Sequence, residues 1–222
     1  MHNAKPKIGI GVTTFLRKGL AQECLDNIRS NTTSDYKLYV AEDKLCDRKG
    51  VAKRKNECLY NLQDCDYIFL FDDDCYPIKK DWEKFVIDAH KKSGEHHFNY
   101  LMDSIHHIEN HYFYGDVTIQ SFKDCGGVFM SITKECLKKV GGFFTEYGLY
   151  GFEHIGYSCR CTEGKMTSRP FLSIQGLEEY LFAYDYVGGI QSTIANKDNL
   201  IEKNKSVFEL DMQSVCKPIS YE

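Results

Sequence analysis

A short apolar run followed by three carboxylates decides the fold of this chain: Tyr67-Ile68-Phe69-Leu70-Phe71-Asp72-Asp73-Asp74-Cys75-Tyr76-Pro77. The apolar part is aromatic and β-branched, which predicts a buried strand. The acids cannot lie in the core, so we expect them where a parallel strand opens into a crevice. Open α/β sheets bind their ligands in such a crevice.

The spacing of the acids indicates a metal site. If the strand continues through them, Asp72 and Asp74 share one face and Asp73 points to the opposite face. Two converging carboxylates repel each other unless a cation lies between them, and hard oxygen ligands suit Mg²⁺ or Mn²⁺, which usually bring a substrate diphosphate. A solvated acidic turn that ends at Pro77 is the alternative, but the apolar strand before the acids favours the binding site.

The composition is typical of a soluble globular protein. The chain has 222 residues, of which 42% are hydrophobic and 27% are charged, and its formal net charge is -4. We expect one domain, without general electrostatic binding of nucleic acid. No stretch has the apolar length of a membrane span, and the polar start is not a signal peptide. The 10 cysteines include no Cys-x-x-Cys pair, which argues against zinc and favours reduced thiols in a cytoplasmic protein.

Strand and helix patterns alternate through the first half of the chain. Strand patterns followed by helical spacing occur at residues 7–13 and 20–28, then 36–41 and 50–62, then 67–71 and 82–89. This alternation predicts a doubly wound α/β fold. Because such connections are right-handed, the strand ends share one edge of the sheet, which brings Thr13, Glu42 and Asp43 beside the three acids.

The second half has a different pattern. We expect a strand at residues 98–102, an aromatic hairpin at 106–122, a strand at 128–132, a helix capped by Thr133, a helix from 153 to 161, and a strand at 181–184. The polar stretch from Asn196 to Ser206 is predicted to be a mobile loop. No internal repeat or linker requires a second domain.

These motifs, in this order, resemble the GT-A glycosyltransferases that use nucleotide sugars, in particular the large family two. The family has a Thr-rich turn after its first strand, an acid after its second, a Gly-x-Ala-x-x-x-Asn helix start, an Asp-x-Asp signature, two Gly-Gly motifs and a Trp-Gly-Gly-Glu-Asp-like motif. The matching segments here are Val12–Arg17, Glu42 or Asp43, Gly50–Asn56, Asp72–Asp74, Gly126–Gly127, Gly141–Phe143 and Tyr150–His154. The resemblance covers about residues 7–162.

The resemblance implies an α/β fold of GT-A type. Its central, mostly parallel sheet is Rossmann-like, binds the nucleotide and is flanked by helices, and a small second sheet lies on the acceptor side. Residues of about 7–102 would form the half that binds the nucleotide sugar. Residues of about 103–222 would form the acceptor half and the C-terminal segment of the same single domain.

A donor site follows from the same resemblance. The implied donor-binding residues are Thr13, Thr14, Arg17, Glu42, Asp43, Asp72, Asp73, Gly126 and Gly127. Lys53 and Arg54 would add positive charge near the nucleotide, with a solvated helix face as an equal alternative. Asp72 and Asp74 would hold Mn²⁺ or Mg²⁺, which acts as a Lewis acid on the diphosphate.

The chain departs from the family at the catalytic base. The family's Glu-Asp pair is Glu153-His154 here, and no histidine follows His154 to serve as the further metal ligand that the family often uses. Imidazole titrates near neutrality, so we slightly favour His154 as the general base, with Glu153 holding the acceptor or donor sugar. The reverse assignment stays open.

The sequence therefore predicts a metal-dependent glycosyltransferase. The donor would be a nucleotide sugar, with a UDP-sugar favoured, and the transfer to an acceptor hydroxyl would be inverting. The acceptor stays open between a glycan, a lipid-linked sugar, a protein and a modified nucleic-acid base. A nucleotidyltransferase is one alternative, although the first strand lacks its Gly-rich phosphate loop. An inactive nucleotide- or carbohydrate-binding module of the same fold is another.

Overall fold

The computed structural model describes residues 5–188, 193–194, 196–213 and 217–221. The strands are β1 (Ile8–Phe15), β2 (Tyr36–Asp43), β3 (Tyr67–Asp72), β4 (Cys75–Pro77), β5 (His97–Asn99), β6 (Ile108–Tyr114), β7 (Val117–Phe122), β8 (Phe129–Thr133), β9 (Leu172–Ile174) and β10 (Leu181–Ala183). The helices are α1 (Lys18–Asn31), α2 (Val51–Leu62), α3 (Trp82–Ser93), α4 (Lys134–Val140), α5 (Glu153–Glu163), α6 (Tyr184–Val187) and α7 (Lys197–Gln213). Short 3₁₀ turns lie at Thr145–Tyr147 and Leu177–Glu179.

The central sheet has the strand order β2-β1-β3-β8-β5. β1 is parallel to both β2 and β3, whereas β8 is antiparallel to its neighbours β3 and β5. Four of these five strands therefore point the same way. Phe15 pairs with Asp43 and Thr13 pairs with Asp72, so the carboxyl ends of β1, β2 and β3 meet at one edge. The predicted α/β class, with a mostly parallel central sheet, is confirmed.

A second, antiparallel sheet has the strand order β6-β7-β9. Its β6 and β7 form the hairpin that was predicted over residues 106–122. β4 and β10 form a separate antiparallel pair directly after the acid cluster. The small second sheet is thus confirmed, with β9 added from the last third of the chain.

The middle of the central sheet is buried on both faces. Phe69 and Phe71 of β3 lie in a cluster with Trp82 of α3, whereas Ile68 and Leu70 lie in the opposite cluster, against α2 and α4. Because both faces of β3 are buried, its sequence is a continuous run of apolar residues. A Cβ at Gly11 would lie 2.8 Å from the Cβ of Cys58, so glycine lets α2 approach β1 closely.

Two predicted segments differ in the structure. The stretch from Asn196 to Ser206 is not a loop, since α7 begins at Lys197 and extends through it. Its Lys, Glu and Leu residues favour helix, and tertiary contacts bury two of its polar side chains, Asn204 and Asp211. The strand predicted at 98–102 ends at Asn99, because the chain then leaves the sheet and the Leu101 N–H donates to the Ser173 hydroxyl at 3.3 Å.

None of the helices within the described ranges combines the length and the apolar character that are needed to cross a bilayer.

Candidate functional site

A pocket lies at the edge where β1, β2 and β3 end. Strand ends supply Thr13, Thr14, Asp43 and the three acids, and α2 supplies Arg54. Further walls come from Arg17, Arg48, Leu149, Tyr150, Asp185, Thr193, Ile194 and Lys197. The topology thus brings most of the predicted donor-binding residues to one place, as right-handed connections require.

The acid cluster does not continue the geometry of β3. The strand ends at Asp72, and Asp73 and Asp74 form a turn into β4. Both of these acids face Arg17, whose guanidinium bridges them, at 2.9 Å from the Asp74 Oδ2. The prediction that Asp73 points away from Asp74 is therefore wrong, because side chains alternate only while the backbone stays extended.

Asp73 is fully buried and accepts a hydrogen bond of 2.6 Å from the Thr14 hydroxyl. Asp72 accepts one of 2.8 Å from the Thr13 hydroxyl. The hydroxyls of the Thr-rich turn thus hold two of the acids in place. Their role in this structure is to position the carboxylates at the floor of the pocket.

The cluster carries an excess of buried negative charge. Burial raises the pKa of Asp74 to about 6, the charge of Asp72 adds to this, and Arg17 opposes it. Burial also raises the pKa of Asp73, against the hydrogen bond from Thr14 and the charge of Arg17. The Asp74 Oδ1 atom is buried and has no hydrogen-bond partner among the residues that the structure describes. An unpartnered carboxylate oxygen beside a second carboxylate is a feature that a cation would satisfy.

The donor atoms fit a hard divalent ion but do not complete its coordination. In the described part of the chain, no three His, Cys, Asp or Glu side chains are arranged to hold a metal ion. Mg²⁺ sites of this kind take one or two carboxylates and fill the remaining positions with substrate phosphate and water. Asp72 and Asp74 are the residues that would hold such an ion.

The two acids at the end of β2 differ in their burial and position. Asp43 is buried and lines the pocket, whereas Glu42 is exposed and lies outside its lining. Burial favours the neutral form of Asp43, but N–H groups of Lys49 and Gly50, together with Arg54, outweigh it and lower the pKa. The Arg54 Nε atom lies 3.1 Å from the Asp43 Oδ1. Asp43 therefore shapes the loop that leads into α2 and presents a charged carboxylate to the pocket.

The charged residues of α2 take different positions. Arg54 is buried and faces the pocket, whereas Lys53 is exposed and lies away from it. Lys55, which the sequence analysis did not single out, is fully buried. Its ammonium group lies 3.0 Å from the Asp72 Oδ1 and donates to the Gly127 carbonyl at 2.9 Å. Lys55 lies at helical spacing from Ala52 and Leu59, which are also buried. This spacing indicates that Lys55 is on the face of α2 that packs against the sheet.

Gly126 and Gly127 make room for side chains instead of lining the pocket. A Cβ at Gly126 would lie 2.5 Å from the Tyr186 hydroxyl, and one at Gly127 would lie 1.8 Å from the His154 Nδ1. Gly50 is constrained as well, since its φ is +85° and a Cβ would lie 2.1 Å from the Gly148 carbonyl oxygen. Glycine at these positions allows backbone segments to approach one another closely.

Glu153 and His154 begin α5 beside the pocket. The Glu153 carboxyl is almost fully buried, and within the described part of the chain its Oε2 has no hydrogen-bond partner. Burial raises the pKa of Glu153 to about 7, against its own backbone N–H, the charge of Lys55 and the N–H of Gly151. The charge of Asp72 reinforces the rise. A carboxyl with this pKa exchanges its proton near neutral pH.

His154 is held in the neutral form. Its side chain is 15% exposed, and its Nδ1 lies 3.5 Å from the Glu153 Oε1. Burial lowers the pKa of His154 well below its ordinary value, and the charge of Lys55 acts in the same direction. Lys55 thus contacts Asp72 and also acts electrostatically on both residues of the Glu-His pair.

Part of the pocket was not predicted from the sequence. Asp185 on α6 and Lys197 on α7 line it, although they are distant in the chain from the motifs. Arg48 also lines it and lies over the Phe15 ring, 4.0 Å from the centroid. No local pattern marks these residues, because only the tertiary fold brings them to the sheet edge.

Comparison with known proteins adds one match in sequence. No family model matches the chain. An uncharacterized glycosyltransferase of Acanthamoeba polyphaga mimivirus is 25% identical to it over 234 residues, in an alignment that covers 90% of this chain and 91% of the relative.

Two solved structures are similar at lower identity. A mannosyltransferase from Pyrobaculum calidifontis, in complex with GDP-Man and Mn²⁺, is 15% identical with a TM-score of 0.46, over 65% of this chain and 49% of that one. The catalytic domain of Drosophila β1,4-galactosyltransferase 7, in complex with xylobiose, is 15% identical with a TM-score of 0.49, over 88% of this chain and 79% of that one. The sequence match to the viral relative, which extends over nearly the whole chain, confirms the resemblance to glycosyltransferases that the motifs predicted.

Proposed function

We propose that this chain is a metal-dependent glycosyltransferase that moves a sugar from a nucleotide-diphosphate donor to an acceptor hydroxyl with inversion. One observation carries the proposal: the buried Lys55 forms an ion pair with Asp72 of the acid cluster at the sheet edge, and its charge also acts on Glu153, a buried carboxyl whose pKa burial raises to about 7. The first part suits a diphosphate with its cation, and the second suits removal of a proton. The relative named a glycosyltransferase supports this assignment.

The donor occupies the pocket at the ends of β1, β2 and β3. Its nucleoside lies near Thr13 and Asp43, and its diphosphate lies near Asp72, Asp74 and the cationic side chains of the pocket. A UDP-sugar is the first donor to test. When bound at Asp72 and Asp74, Mn²⁺ or Mg²⁺ supplies Lewis-acid neutralisation of the diphosphate.

Glu153 acts as the general base. As the acceptor oxygen forms its bond to the anomeric carbon, the bond from that carbon to the diphosphate oxygen breaks, and the acceptor proton passes to the Glu153 carboxylate. The pKa of about 7 matches a base that works near neutral pH. The lowered pKa of His154 makes it the weaker base, so His154 positions the sugar or the acceptor. This assignment reverses the one that the sequence favoured.

Both halves of the chain contribute to the donor site. Residues of about 7–102 supply the strand ends, and residues of about 103–222 supply the acceptor side. The second half also contributes Tyr150, Asp185 and Lys197 to the pocket. We therefore propose that the two halves work as one domain and share the donor.

The experiment is a screen of nucleotide sugars for release of nucleoside diphosphate. The release should require Mn²⁺ or Mg²⁺ and stop on addition of EDTA. Asp74→Asn should abolish release and the thermal stabilisation by donor, whereas Asp26→Asn at an exposed position of α1 should change neither. Release of pyrophosphate would indicate a nucleotidyltransferase instead. Failure of every nucleotide sugar to raise the melting temperature or to be cleaved would overturn the proposal.

A further inference from the structure

A single amide on α7 holds three backbone carbonyls of the segment that precedes Glu153. Asn204 is 2% exposed. Its Nδ2 donates to the carbonyls of Tyr147 and Tyr150 at 2.8 Å and to that of Gly151 at 3.1 Å. A buried polar side chain with three partners in one segment is expensive to move, because each carbonyl would lose its donor.

The segment 147–152, here named the α5 entry loop, needs this outside support. Gly148, Gly151 and Phe152 have φ angles of 70°, 103° and 70°, which lie in the left-handed region. A backbone of this shape cannot pair its carbonyls within a regular helix or strand. Phe152 lacks the freedom of glycine, so its conformation persists only where the surroundings impose it.

The α5 entry loop connects the two parts of the site. Leu149 and Tyr150 line the donor pocket, and the Leu149 carbonyl accepts a hydrogen bond of 3.4 Å from the first residue of α2, Val51. At its other end, the loop leads directly into α5, whose first residue is Glu153. The carbonyl of Gly151 accepts from Asn204. Phe152 alone therefore separates the residue whose carbonyl Asn204 holds from Glu153 in the chain.

We propose that Asn204 is a positioning residue that fixes the α5 entry loop and, through Gly151, the direction of the Glu153 carboxylate. The proposal rests on the proposed function in one respect, which is the use of Glu153 as the base. Asn204 itself is buried behind the loop and touches no reacting atom. Helix α7 thus sets the geometry of a catalytic group that belongs to α5.

Other contacts keep α7 docked when the amide is lost. The rings of Phe208 and Phe152 lie 5.5 Å apart between centroids. One turn further along α7, Asp211 accepts a hydrogen bond of 2.8 Å from the Tyr147 hydroxyl and pairs with Arg160. Removal of the Asn204 amide should therefore disturb the α5 entry loop without releasing the helix.

The test compares Asn204→Asp with Asn199→Asp. The first substitution keeps the shape but replaces the donor by an oxygen that repels the three carbonyls. The second makes the same change at an exposed position of α7. We expect Asn204→Asp to lower kcat by roughly 10- to 100-fold, since a misplacement of about 1 Å can cost a factor of this size. The dissociation constant for UDP with Mn²⁺ should change less than kcat does, because the α5 entry loop supplies only Leu149 and Tyr150 to a pocket that is otherwise built mainly from the strand ends. Asn199→Asp should leave both unchanged, and equal effects of the two substitutions would overturn the proposal.

Two further measurements separate positioning from general destabilisation. Asn204→Ala removes the amide without adding repulsion, in case the aspartate prevents folding. Phe208→Ala weakens the packing of α7 but leaves the amide in place. If Phe208→Ala lowers the melting temperature as much as Asn204→Ala and lowers kcat equally, Asn204 has only a structural role and the proposal is wrong.

Hydrogen exchange tests whether Asn204 holds the α5 entry loop, and this measurement does not require enzymatic activity. Amides of residues 148–153 should exchange at least tenfold faster in Asn204→Ala than in Asn199→Ala, while those of β3 stay unchanged. Unchanged exchange at residues 148–153 would overturn the proposal even in an active enzyme. If the wild-type protein transfers no sugar and exchange nevertheless rises, the proposed function fails while the hold of Asn204 on the loop stands.

Discussion

Lys55 is the residue on which the two parts of the proposed site depend. It is a fully buried cation that contacts Asp72, and its charge lowers the pKa of both Glu153 and His154. Buried charges persist only with partners, and the partners of Lys55 are a carboxylate and a carbonyl. The lysine therefore places a positive charge that acts both on Asp72 of the acid cluster and on the proposed base, Glu153.

Lys55→Met tests this role, because methionine fills the space without the charge. Without the lysine, the pKa of Glu153 should rise further, and the acid limb of the pH–kcat profile should move to higher pH. Each unit of rise costs about tenfold in ionised carboxylate on that limb. Lys53→Met is the matched control on the exposed face of the same helix and should leave the profile in place. A profile that is identical in both variants would contradict the electrostatic role of Lys55.

Some of these residues could be predicted and others could not. Asp43, Asp72 and Asp74 follow from the rule that strand ends share an edge, and they do line one pocket. The orientation of Asp73 was wrong because one residue of turn cancels the alternation of a strand. Lys55 was missed because a lysine in a helix is normally solvated, and only its inward spacing indicated otherwise.

At the scale of elements, helices and strands were predicted correctly where apolar side chains recur at regular spacing. The prediction failed in α7, where polar side chains occupy such positions. The alternating strands and helices of the first half carry apolar residues at regular spacing, which burial enforces. In α7 the inward positions are Ile201, Asn204, Phe208 and Asp211. Their spacing is helical, but two of the four are polar and are buried with specific partners. A hydrophobic pattern cannot reveal a helix that is held by hydrogen bonds.

The contact between α5 and the loop before β8 depends on Gly127. A Cβ there would overlap the His154 ring, which lies across the glycine, so Gly127→Ala must displace the imidazole. We expect the free energy of unfolding to fall by about 1–3 kcal/mol, the usual cost of an overpacked site. Urea denaturation would measure the change. Gly19→Ala in α1, where nothing lies within 4 Å of the added carbon, should be neutral or stabilise by up to about 1 kcal/mol. If both substitutions stabilise the protein, the packing of His154 on this glycine is wrong.

At the scale of the whole molecule, the buried acids make stability depend on pH. The pKa of Glu153 is raised by burial from 4.5 to about 7, so the folded protein binds its proton more tightly than the unfolded chain does. The stabilisation is therefore complete below about pH 4.5 and is lost as the pH rises through about 7. The loss is at most about 3 kcal/mol for this group. Asp74, whose pKa is raised to about 6 by burial, acts in the same direction at a lower pH.

Glu153→Gln should remove this dependence, because the amide does not ionise. The difference in unfolding free energy between Glu153→Gln and the wild type should grow in favour of the variant between pH 5 and pH 8. Urea denaturation in EDTA at the two pH values measures it. Glu146→Gln, at an exposed position, is the control and should follow the wild type at both pH values. A constant difference for Glu153→Gln would mean that Glu153 is ionised throughout this range.

Arg17 forms ion pairs with Asp73 and Asp74 and so places a positive charge of the protein itself beside the acid cluster. The guanidinium holds one oxygen of each acid, and no described residue gives the Asp74 Oδ1 a hydrogen bond. The Arg17 guanidinium thus offsets part of the repulsion between these carboxylates. In the proposed complex, a donor diphosphate would attract both its cation and this guanidinium, so that donor binding would exchange partners among charges that the fold has already placed. The free energy needed to bring these charges together is therefore part of the free energy of folding, and it does not have to be supplied again in each catalytic cycle.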